Sequence, residues 1–179
     1  MPAAPQSRIL IVYAHRQPAG SRVNRALLHA AATLPNVTVH DLTARYPDLA
    51  IDAAYEQKLL QEHDVIVLQF PLYWYSSPAI LKEWQDVALA HGFAYGSSGD
   101  KLRGKKLMVA TTAGGGADAY QAGGHNHYTL SELLRPFQAL ANLAGMAYQP
   151  IFSVGGVRTL DDAGLDRAAS AYWQRLSAL

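Results

Sequence analysis

The chain has 179 residues, about the size of one domain, and half of them are hydrophobic. Its 15 Lys and Arg residues nearly balance its 14 Asp and Glu residues, so the charge gives no reason to expect binding to nucleic acid. The absence of cysteine excludes disulfides, thiolate nucleophiles and cysteine metal sites, and it suits a reducing compartment such as the cytoplasm.

The N-terminal part of the chain alternates strand and helix patterns. Ile9 to Tyr13 is a β-branched apolar run that predicts a strand buried on both faces. After a turn-forming stretch, Ser21 has the position of an N-cap, and apolar residues at helical spacing predict a helix that ends before Pro35. The next patterns predict a strand over Val37 to His40 and a helix over Ala53 to Gln61.

The rest of the chain repeats this alternation three times. The predicted elements are the strand Val65 to Phe70, the helix Pro78 to His91, the strand Lys106 to Thr111, the helix Leu130 to Ala144, the strand Tyr148 to Val154 and the helix Asp162 to Leu176. Such alternation predicts a single α/β domain over residues 1–179, in which a parallel sheet lies between two layers of helices.

Two uncharged windows, Val65 to Leu81 and Phe137 to Val157, have about the length of a membrane span. Prolines interrupt both windows, and the second also contains Gly155 and Gly156. A broken helix leaves backbone groups without hydrogen bonds in lipid, so we expect neither window to cross a membrane.

The size of the domain suits the flavodoxin-like strand order 2-1-3-4-5 in a five-stranded sheet. In such sheets a ligand binds outside the carboxyl ends of the strands, near the point where the strand order reverses. This rule directs attention to three loops, which follow the first, third and fourth predicted strands. They span His15 to Ser21, Pro71 to Ser77 and Thr112 to Tyr128.

The first loop has the sequence HRQPAGSRVN and leads into a helix. The side chains of His15, Ser21 and Asn24 and the first-turn amides suit a phosphate group, because a helix N-terminus favours negative charge. The loop matches neither GxxxxGK[ST] nor GxGxxG, which disfavours a P-loop or a Rossmann site. The competing interpretation is that Ser21 only caps the helix.

The second loop is unusually aromatic. It contains Leu72, Tyr73, Trp74 and Tyr75 in a proline-broken segment, FPLYWYSSP, directly after an apolar strand. Such residues at the carboxyl end of a strand favour contact with a flat heteroaromatic ring. The competing interpretation is ordinary core packing.

The third loop, TTAGGGADAYQAGGHNHY, is far longer than a typical connection from strand to helix. Its glycines allow close backbone approach to a ligand, and Tyr120, His125 and His127 are able to donate or transfer a proton. A surface lid without chemistry is the alternative. The two histidines could bind a metal ion, but no third ligand follows them at the spacing of a known metal motif. We therefore predict no metal site.

Several segments together resemble the NAD(P)H:quinone oxidoreductase family of flavodoxin-like proteins. They are HRQPAGSRVN, FPLYWYSSPAILKEWQD, HGFAYG, TTAGGG with its downstream tyrosine, and ELLRPFQALANLAGM. The similarity runs in order from Ile9 to about Pro150 and is strongest to short bacterial members. These include the ancillary flavoproteins of glutathione-gated potassium-efflux systems.

The resemblance implies a role for each of the three loops. His15, Ser21 and Asn24 would hold the flavin phosphate, the segment Pro71, Leu72, Tyr73, Trp74 and Tyr75 would line the isoalloxazine, and the backbone of Thr112, Ala113, Gly114 and Gly115 would contact its pyrimidine side. Tyr120 matches the catalytic tyrosine of the family. The catalytic histidine of the family corresponds to either His125 or His127 in this chain, and the distance in sequence to Pro136 favours His127.

The family also implies a cofactor, substrates and partners. A nicotinamide would pass hydride to the flavin and leave, and a quinone would then take its place, which predicts two-electron ping-pong kinetics. FMN is expected because the chain ends soon after its fifth helix, with FAD as the alternative. NADH and NADPH, and the identity of the quinone, stay open.

A homodimer is expected, with Phe93 and Tyr95 of HGFAYG near the partner. The alternative function is a flavin-binding regulatory subunit of a potassium-efflux antiporter, which would bring the cytoplasmic chain to the inner membrane. A flavodoxin-like electron carrier is disfavoured, because a net charge of +1 does not suit docking to basic partners.

Overall fold

The computed structural model describes residues 6–179 as one parallel β-sheet with helices on both faces. Its strands are β1 (Ile9–Tyr13), β2 (Val37–Asp41), β3 (Val65–Pro71), β4 (Lys106–Thr112), β5 (Ala147–Tyr148) and β6 (Phe152–Val154). Its α-helices are α1 (Arg22–Ala31), α2 (Leu42–Arg45), α3 (Ala53–Glu62), α4 (Ala79–Ala88), α5 (Leu130–Leu133), α6 (Arg135–Leu143) and α7 (Asp162–Ser177). Two short 3₁₀ turns, Pro18–Gly20 and Ala117–Ala119, lie in the first and third loops.

The strand order is β2-β1-β3-β4-β5, and β6 pairs with β4 beyond the end of β5. This order confirms the predicted flavodoxin-like topology. Every pair of strands is parallel. The order reverses between β1 and β3, which are adjacent, so the loops after them meet at the carboxyl edge of the sheet.

The predicted fifth strand, Tyr148 to Val154, is wrong as a continuous element. Ala147 and Tyr148 pair with the start of β4, and Phe152 to Val154 pair with its end. The Gln149 N–H still donates to the Leu107 carbonyl at 2.7 Å, but Pro150 has no N–H to continue the ladder. The sheet therefore has six strands where five were predicted.

The predicted helix from Leu130 to Ala144 is also two elements. Its first turn, α5, has a capping box between Thr129 and Glu132, and it ends at Leu133. Pro136 lies in the first turn of α6, where a missing N–H costs nothing, so the chain begins a second helix there. The helix predicted over Pro78 to His91 is shorter than expected and ends at Ala88.

Two hydrophobic layers cover the sheet, because side chains alternate along each strand. Leu10 and Val12 point into the layer that includes α4 and α6. Ile9 and Ile11 point into the opposite layer, where they pack with residues of α1 and α7. The position of a residue along β1 thus decides which helices its side chain meets.

The two uncharged windows are parts of this α/β domain. The first covers β3, the second loop and the start of α4, and the second runs from α6 to just beyond β6. Within residues 6–179, no helix combines the length and the apolar character that a membrane crossing requires.

Candidate functional site

The loops after β1, β3 and β4 start side by side at the carboxyl edge of the sheet. The Ala14 N–H donates to the Gln69 carbonyl at 3.0 Å, and the Leu72 N–H donates to the Thr112 carbonyl at 2.8 Å. Farther along the edge, the Ala113 N–H donates to Val154 at 2.9 Å. Backbone bonds therefore hold all three predicted site loops next to one another.

His15 begins the first loop with a buried ring. Its Nδ1 accepts from the Gln17 N–H at 2.9 Å, so the neutral ring carries its proton on Nε2. Burial lowers the pKa of His15, although the charge of Asp41 opposes this shift. His15 is thus held as a neutral donor with Nε2–H available to a ligand.

Ser21 lies at the predicted N-cap of α1, but its side chain does not cap the helix backbone. Its Oγ instead accepts from Asn24 Nδ2 at 3.1 Å, and this leaves the Ser21 proton available for another acceptor. The first N–H groups of a helix have no partner within the helix. The hydroxyl and these amides together suit an anionic group.

Asn24 is almost fully buried, at 1% exposed. Its Nδ2 donates to Thr112 Oγ1 at 2.9 Å as well as to Ser21, and its Oδ1 accepts from Gln69 Nε2 at 3.3 Å. All its polar atoms therefore have protein partners. Asn24 joins the first and third loops, and this role differs from the direct phosphate contact that the resemblance implied.

Tyr13, the last residue of β1, was not among the predicted site residues. Its side chain is 2% exposed, and its hydroxyl lies beside the Ser21 side chain. Burial raises the pKa of Tyr13 to about 12, although the neighbouring Ser21 side chain opposes the shift. The signal available in the sequence is a phenol at the carboxyl end of an otherwise aliphatic strand, ILIVY.

The second loop forms a tight turn at its aromatic centre. Tyr73 and Ser76 exchange two backbone hydrogen bonds of 2.9 Å, and Trp74 and Tyr75 between them have φ values of 48° and 62°. Positive φ at both central positions is typical of a type I′ turn, in which Asn and Gly are preferred. Two aromatic residues therefore occupy strained positions, a feature that clusters at ligand sites.

This turn presents Trp74 to solvent, with 94% of its surface exposed. Tyr75 is half exposed, whereas Leu72 packs partly against the core. Tyr73 points toward the first loop, where its ring meets His15 edge-on at 5.9 Å between centroids. Core packing thus does not account for the whole aromatic cluster, and the exposed rings offer a contact surface beside the first loop.

The glycines of the third loop follow β4 directly. A Cβ atom on Gly115 would lie 3.1 Å from Ala119 Cβ and 3.2 Å from Tyr120 Cε2, so a larger residue would displace the tyrosine. The Gly156 N–H donates to the Gly115 carbonyl at 2.8 Å and fixes the path of the backbone. Gly114 is exposed, and a Cβ atom on it would lie 3.6 Å from Arg158 Nε.

Tyr120 and the two histidines lie farther along the same loop. Tyr120 is partly buried after the 3₁₀ turn, and both His125 and His127 are exposed. The Tyr75 hydroxyl donates to Asn126 Oδ1 at 3.3 Å and so joins the aromatic turn to the segment between the histidines. The third loop therefore contacts the second loop near its proton donors, and the choice between His125 and His127 stays a prediction.

Nothing in residues 6–179 groups three or more His, Cys, Asp or Glu side chains closely enough to hold a metal ion. A cavity of about 530 Å³ lies beside the aromatic turn, between the first loop, α2 and the start of α4. Its walls include Arg16, Tyr46, Leu49, Trp74 and Ile80. Arg16 is a further residue of this region that sequence analysis did not identify.

A buried carboxylate next to this cavity was not among the predicted site residues. Glu56 is 0% exposed and accepts from His40 Nε2 at 2.8 Å, from the Tyr46 hydroxyl at 2.6 Å and from Trp84 Nε1 at 2.7 Å. Burial works against the charge, but these hydrogen bonds outweigh it and lower the pKa of Glu56. The contacts span positions 40 to 84, which explains why no local sequence pattern reveals them.

Comparison with protein families matches residues 7–176 to a family described as having a flavodoxin-like fold. General stress protein 14 of Bacillus subtilis (strain 168) is 53% identical over 84% of this chain and 86% of its own length. The uncharacterized NAD(P)H oxidoreductase YdeQ of the same strain is 42% identical over 95% of this chain and 86% of its own. The glutathione-regulated potassium-efflux system ancillary protein KefG of Pectobacterium atrosepticum is 47% identical over 96% of this chain and 93% of its own length.

Three solved structures are also similar. One, described as a thermophilic tryptophan halogenase from Streptomycin violaceusniger, has a TM-score of 0.91 and 49% identity over 95% of this chain and 98% of its own. General stress protein 14 from Treponema denticola, in complex with FMN, has a TM-score of 0.90 and 38% identity. The match covers 96% of this chain and 98% of that protein's chain. An NADPH-quinone reductase from P. pentosaceus has a TM-score of 0.88 and 37% identity. The match covers 96% of this chain and 99% of that protein's chain.

Proposed function

We propose that this chain, which belongs to the flavodoxin-like family Flavodoxin_2, is an FMN-dependent NAD(P)H:quinone oxidoreductase. The cofactor is supported by the FMN complex of a relative that is 38% identical, and the reaction by relatives named NAD(P)H oxidoreductase and NADPH-quinone reductase. The observation that carries the proposal is the exposed, strained pair Trp74 and Tyr75 between an anion-binding first loop and a glycine-rich third loop.

The first loop fits the phosphate end of FMN. The His15 Nε2–H, the free proton of Ser21 and the first-turn amides of α1 are donors, and phosphate offers only acceptors in its dianionic form. Asn24 fixes Ser21 and Thr112 relative to each other. We therefore assign phosphate binding to His15 and Ser21, and alignment of the loops to Asn24.

The second and third loops fit the ring system. Leu72, Tyr73, Trp74 and Tyr75 provide apolar and aromatic surface, and the buried Pro71 ends β3 beneath them. The backbone from Ala113 to Gly115 follows Thr112, the last residue of β4, at the same edge of the sheet, and since the Ala113 N–H is bonded to Val154, the amides of Gly114 and Gly115 are the ones we assign to the ligand. We assign these two segments to the two sides of the isoalloxazine.

When bound, FMN would supply the hydride acceptor for NAD(P)H and the hydride donor for the quinone. The residues of the chain orient the substrates and supply protons. We assign Tyr120, together with His127 or His125, to hydrogen bonding at the quinone oxygen that gains a proton. Charge develops on that oxygen during hydride transfer, and preorganised donors stabilise it more than water does.

Use of one site in turn by NAD(P)H and quinone predicts ping-pong kinetics. Steady-state rates measured at several fixed quinone concentrations should give parallel double-reciprocal lines in NADH or NADPH. Intersecting lines would show that both substrates bind together and would contradict the shared site. The same measurement with each nicotinamide identifies the preferred donor.

We do not extend halogenation to this chain, although one similar structure carries that description. No feature of the site described above favours tryptophan over a quinone. The relatives at 42% and 37% identity are instead named for NAD(P)H and quinone chemistry.

A second candidate function is regulation of a potassium-efflux antiporter, and the KefG relative at 47% identity favours it. In this case the chain would bind the cytoplasmic side of a membrane partner while keeping its flavin site. Co-expression with the antiporter of the same genome and affinity purification of the tagged chain from detergent extracts test this function. Failure to recover the antiporter would contradict it and leave the oxidoreductase proposal intact.

We also propose a homodimer that forms through the connection HGFAYG and α6. Tyr95 is partly exposed beside a cavity of about 330 Å³, and its neighbour on α6, Leu143, is 69% exposed. An exposed leucine next to an aromatic residue suits the apolar centre of an interface. Light scattering should give a dimer for the unmodified chain and a monomer for Leu143→Lys, and a monomer for both would contradict the assignment.

A further inference from the structure

We infer that the guanidinium group of Arg158 stabilises the reduced state of the bound flavin relative to the oxidised state and so raises its reduction potential. This inference rests on the proposed function, and it assigns a role to a residue that was not among the predicted site residues. It starts from a fourth loop at the carboxyl edge of the sheet, residues 155–160, which follows β6.

Backbone hydrogen bonds hold the fourth loop against the third loop. β6 pairs with the last three residues of β4, so the two strands end at the same level. Beyond them, the Gly156 N–H donates to the Gly115 carbonyl at 2.8 Å, and the Val157 N–H donates to the Ala113 carbonyl at 3.2 Å. The fold therefore fixes the backbone of Arg158 beside the glycine-rich segment.

The Arg158 side chain lies against Gly114. A Cβ atom on Gly114 would lie 3.6 Å from Arg158 Nε and 3.9 Å from its Cζ, which is ordinary contact distance. Both residues are exposed. We assign the amides of Gly114 and Gly115 to the ligand, so a ring that accepts from these amides would lie beside a positive charge.

The charge of Arg158 is not neutralised by a carboxylate in the part of the chain that the structure describes, where the ion pairs involve other residues. The two acidic residues that follow it have other partners. Asp161 accepts from the Gly164 N–H at the start of α7, and Asp162 pairs with Arg22. Because arginine stays protonated in proteins, Arg158 presents a full positive charge at the glycine-rich segment.

A positive charge at this position favours the more negative state of a ligand. Hydride transfer from NAD(P)H leaves more negative charge on the flavin ring, and nearby protein charge is one of the factors that tune a cofactor. Arg158 would therefore bind reduced FMN more tightly than oxidised FMN. Tighter binding of the reduced state is equivalent to a higher reduction potential.

Arg103 provides a matched control. It is also an exposed arginine beside a glycine, since a Cβ atom on Gly145 would lie 3.4 Å from Arg103 Cγ. Arg103 precedes β4, so it lies at the amino edge of the sheet, opposite the site loops. Arg103→Met removes the same charge and keeps the apolar stem without touching the third loop.

The experiment compares the FMN-loaded unmodified chain with Arg158→Met, Arg158→Lys and Arg103→Met. Reduction in the presence of a reference dye gives the midpoint potential of bound FMN, and fluorescence quenching gives the affinity for oxidised FMN. For Arg158→Met we expect reduced FMN to lose about tenfold in affinity relative to oxidised FMN, which lowers the midpoint potential by about 30 mV. Arg158→Lys keeps the charge and should restore most of this difference, and Arg103→Met should leave the potential unchanged.

Three results would overturn the inference while the proposed function stands. One is equal affinity changes for both states in Arg158→Met, with the potential unchanged. Another is a potential of Arg158→Lys as low as that of Arg158→Met, which would show that charge is not the cause. The third is a higher KM for NADPH but not for NADH at an unchanged potential, which would assign Arg158 to the nicotinamide cofactor. An unmodified chain that binds no FMN would overturn both the inference and the proposed function.

Discussion

Asn24 Nδ2 donates to Thr112 Oγ1 at 2.9 Å, a contact between residues 88 positions apart in sequence. Thr112 ends β4, and Asn24 lies in the first turn of α1. Since Asn24 also donates to Ser21, one buried amide fixes the spacing between the proposed phosphate loop and the glycine-rich loop.

Removal of this amide should destabilise the fold. Asn24→Ala leaves the buried Thr112 Oγ1 without its donor and removes one of the two hydrogen bonds of Gln69 Nε2, so we expect the free energy of unfolding to fall by about 1–3 kcal/mol. Urea unfolding measures the change. Asn142→Ala, on the exposed side of α6, is the control and should change stability by less than about 0.5 kcal/mol. Equal effects would show that Asn24 is not a structural link.

The Glu56 carboxylate should contribute stability that depends on pH. Glu56→Gln replaces an acceptor of three hydrogen bonds by an amide that cannot accept them all, and we expect a loss of about 2–4 kcal/mol at neutral pH. Because folding lowers the pKa of Glu56 below its ordinary 4.5, ionisation stabilises the fold fully above pH 4.5. That stabilisation is lost as pH falls through the lower pKa of the folded state.

Chemical denaturation across this pH range measures the difference between the two proteins. Glu62→Gln, an exposed change on the same helix, is the matched control and should differ little from the unmodified chain. A difference between Glu56→Gln and the unmodified chain that stays constant with pH would contradict the assigned role of the charge.

Tyr120 and one histidine should act in hydride transfer. If each donor stabilises the transition state by about 1–2 kcal/mol, Tyr120→Phe combined with His127→Ala should slow reduction of the quinone by about 1.5 to 3 orders of magnitude. Stopped-flow absorbance of the flavin measures both half-reactions. His125→Ala serves as the comparison: if it gives the larger effect, the roles of the histidines exchange, and unchanged rates in all variants would remove these residues from the site.

The aromatic turn should lower the stability of the flavin-free chain and raise its affinity for FMN. Replacing Trp74 by Asn and Tyr75 by Gly suits the positive φ values of both positions, so we expect stability of the flavin-free chain to rise by about 1–2 kcal/mol. Loss of two aromatic contacts of about 0.5–1.5 kcal/mol each should weaken FMN binding by about tenfold or more.

Trp173→Asn is the control for this turn, because Trp173 is also an exposed tryptophan, at 41%, but lies on α7, outside the three loops. It should leave FMN affinity unchanged. If the Asn–Gly variant binds FMN as tightly as the unmodified chain, Trp74 and Tyr75 do not contribute to flavin binding.

Local patterns were sufficient to predict the order of the strands and the three loops. Apolar runs such as Ile9–Tyr13 and Val65–Phe70 are buried along their length, and each begins and ends near its prediction. Two of the errors lie where a proline leaves the apolar pattern intact but removes a backbone N–H. Pro150 divides the predicted fifth strand, and Pro136 begins a new helix inside a predicted one.

Local sequence patterns indicate only those candidate site residues that lie close together in sequence, as in the segment from Leu72 to Tyr75. The contacts of Asn24 depend on a partner from another element, Thr112, and no spacing rule contains them. The same reason hides Glu56, whose charge would ordinarily indicate an exposed position on its helix.

The central claim is that the three loops at the carboxyl edge bind FMN. The most direct measurement is the absorbance spectrum of the purified chain, before and after addition of FMN, with mass spectrometry of the cofactor released on denaturation. We predict a yellow protein with flavin bands, FMN as the released molecule and a ratio near one per chain. A colourless chain that binds neither FMN nor FAD would contradict the account.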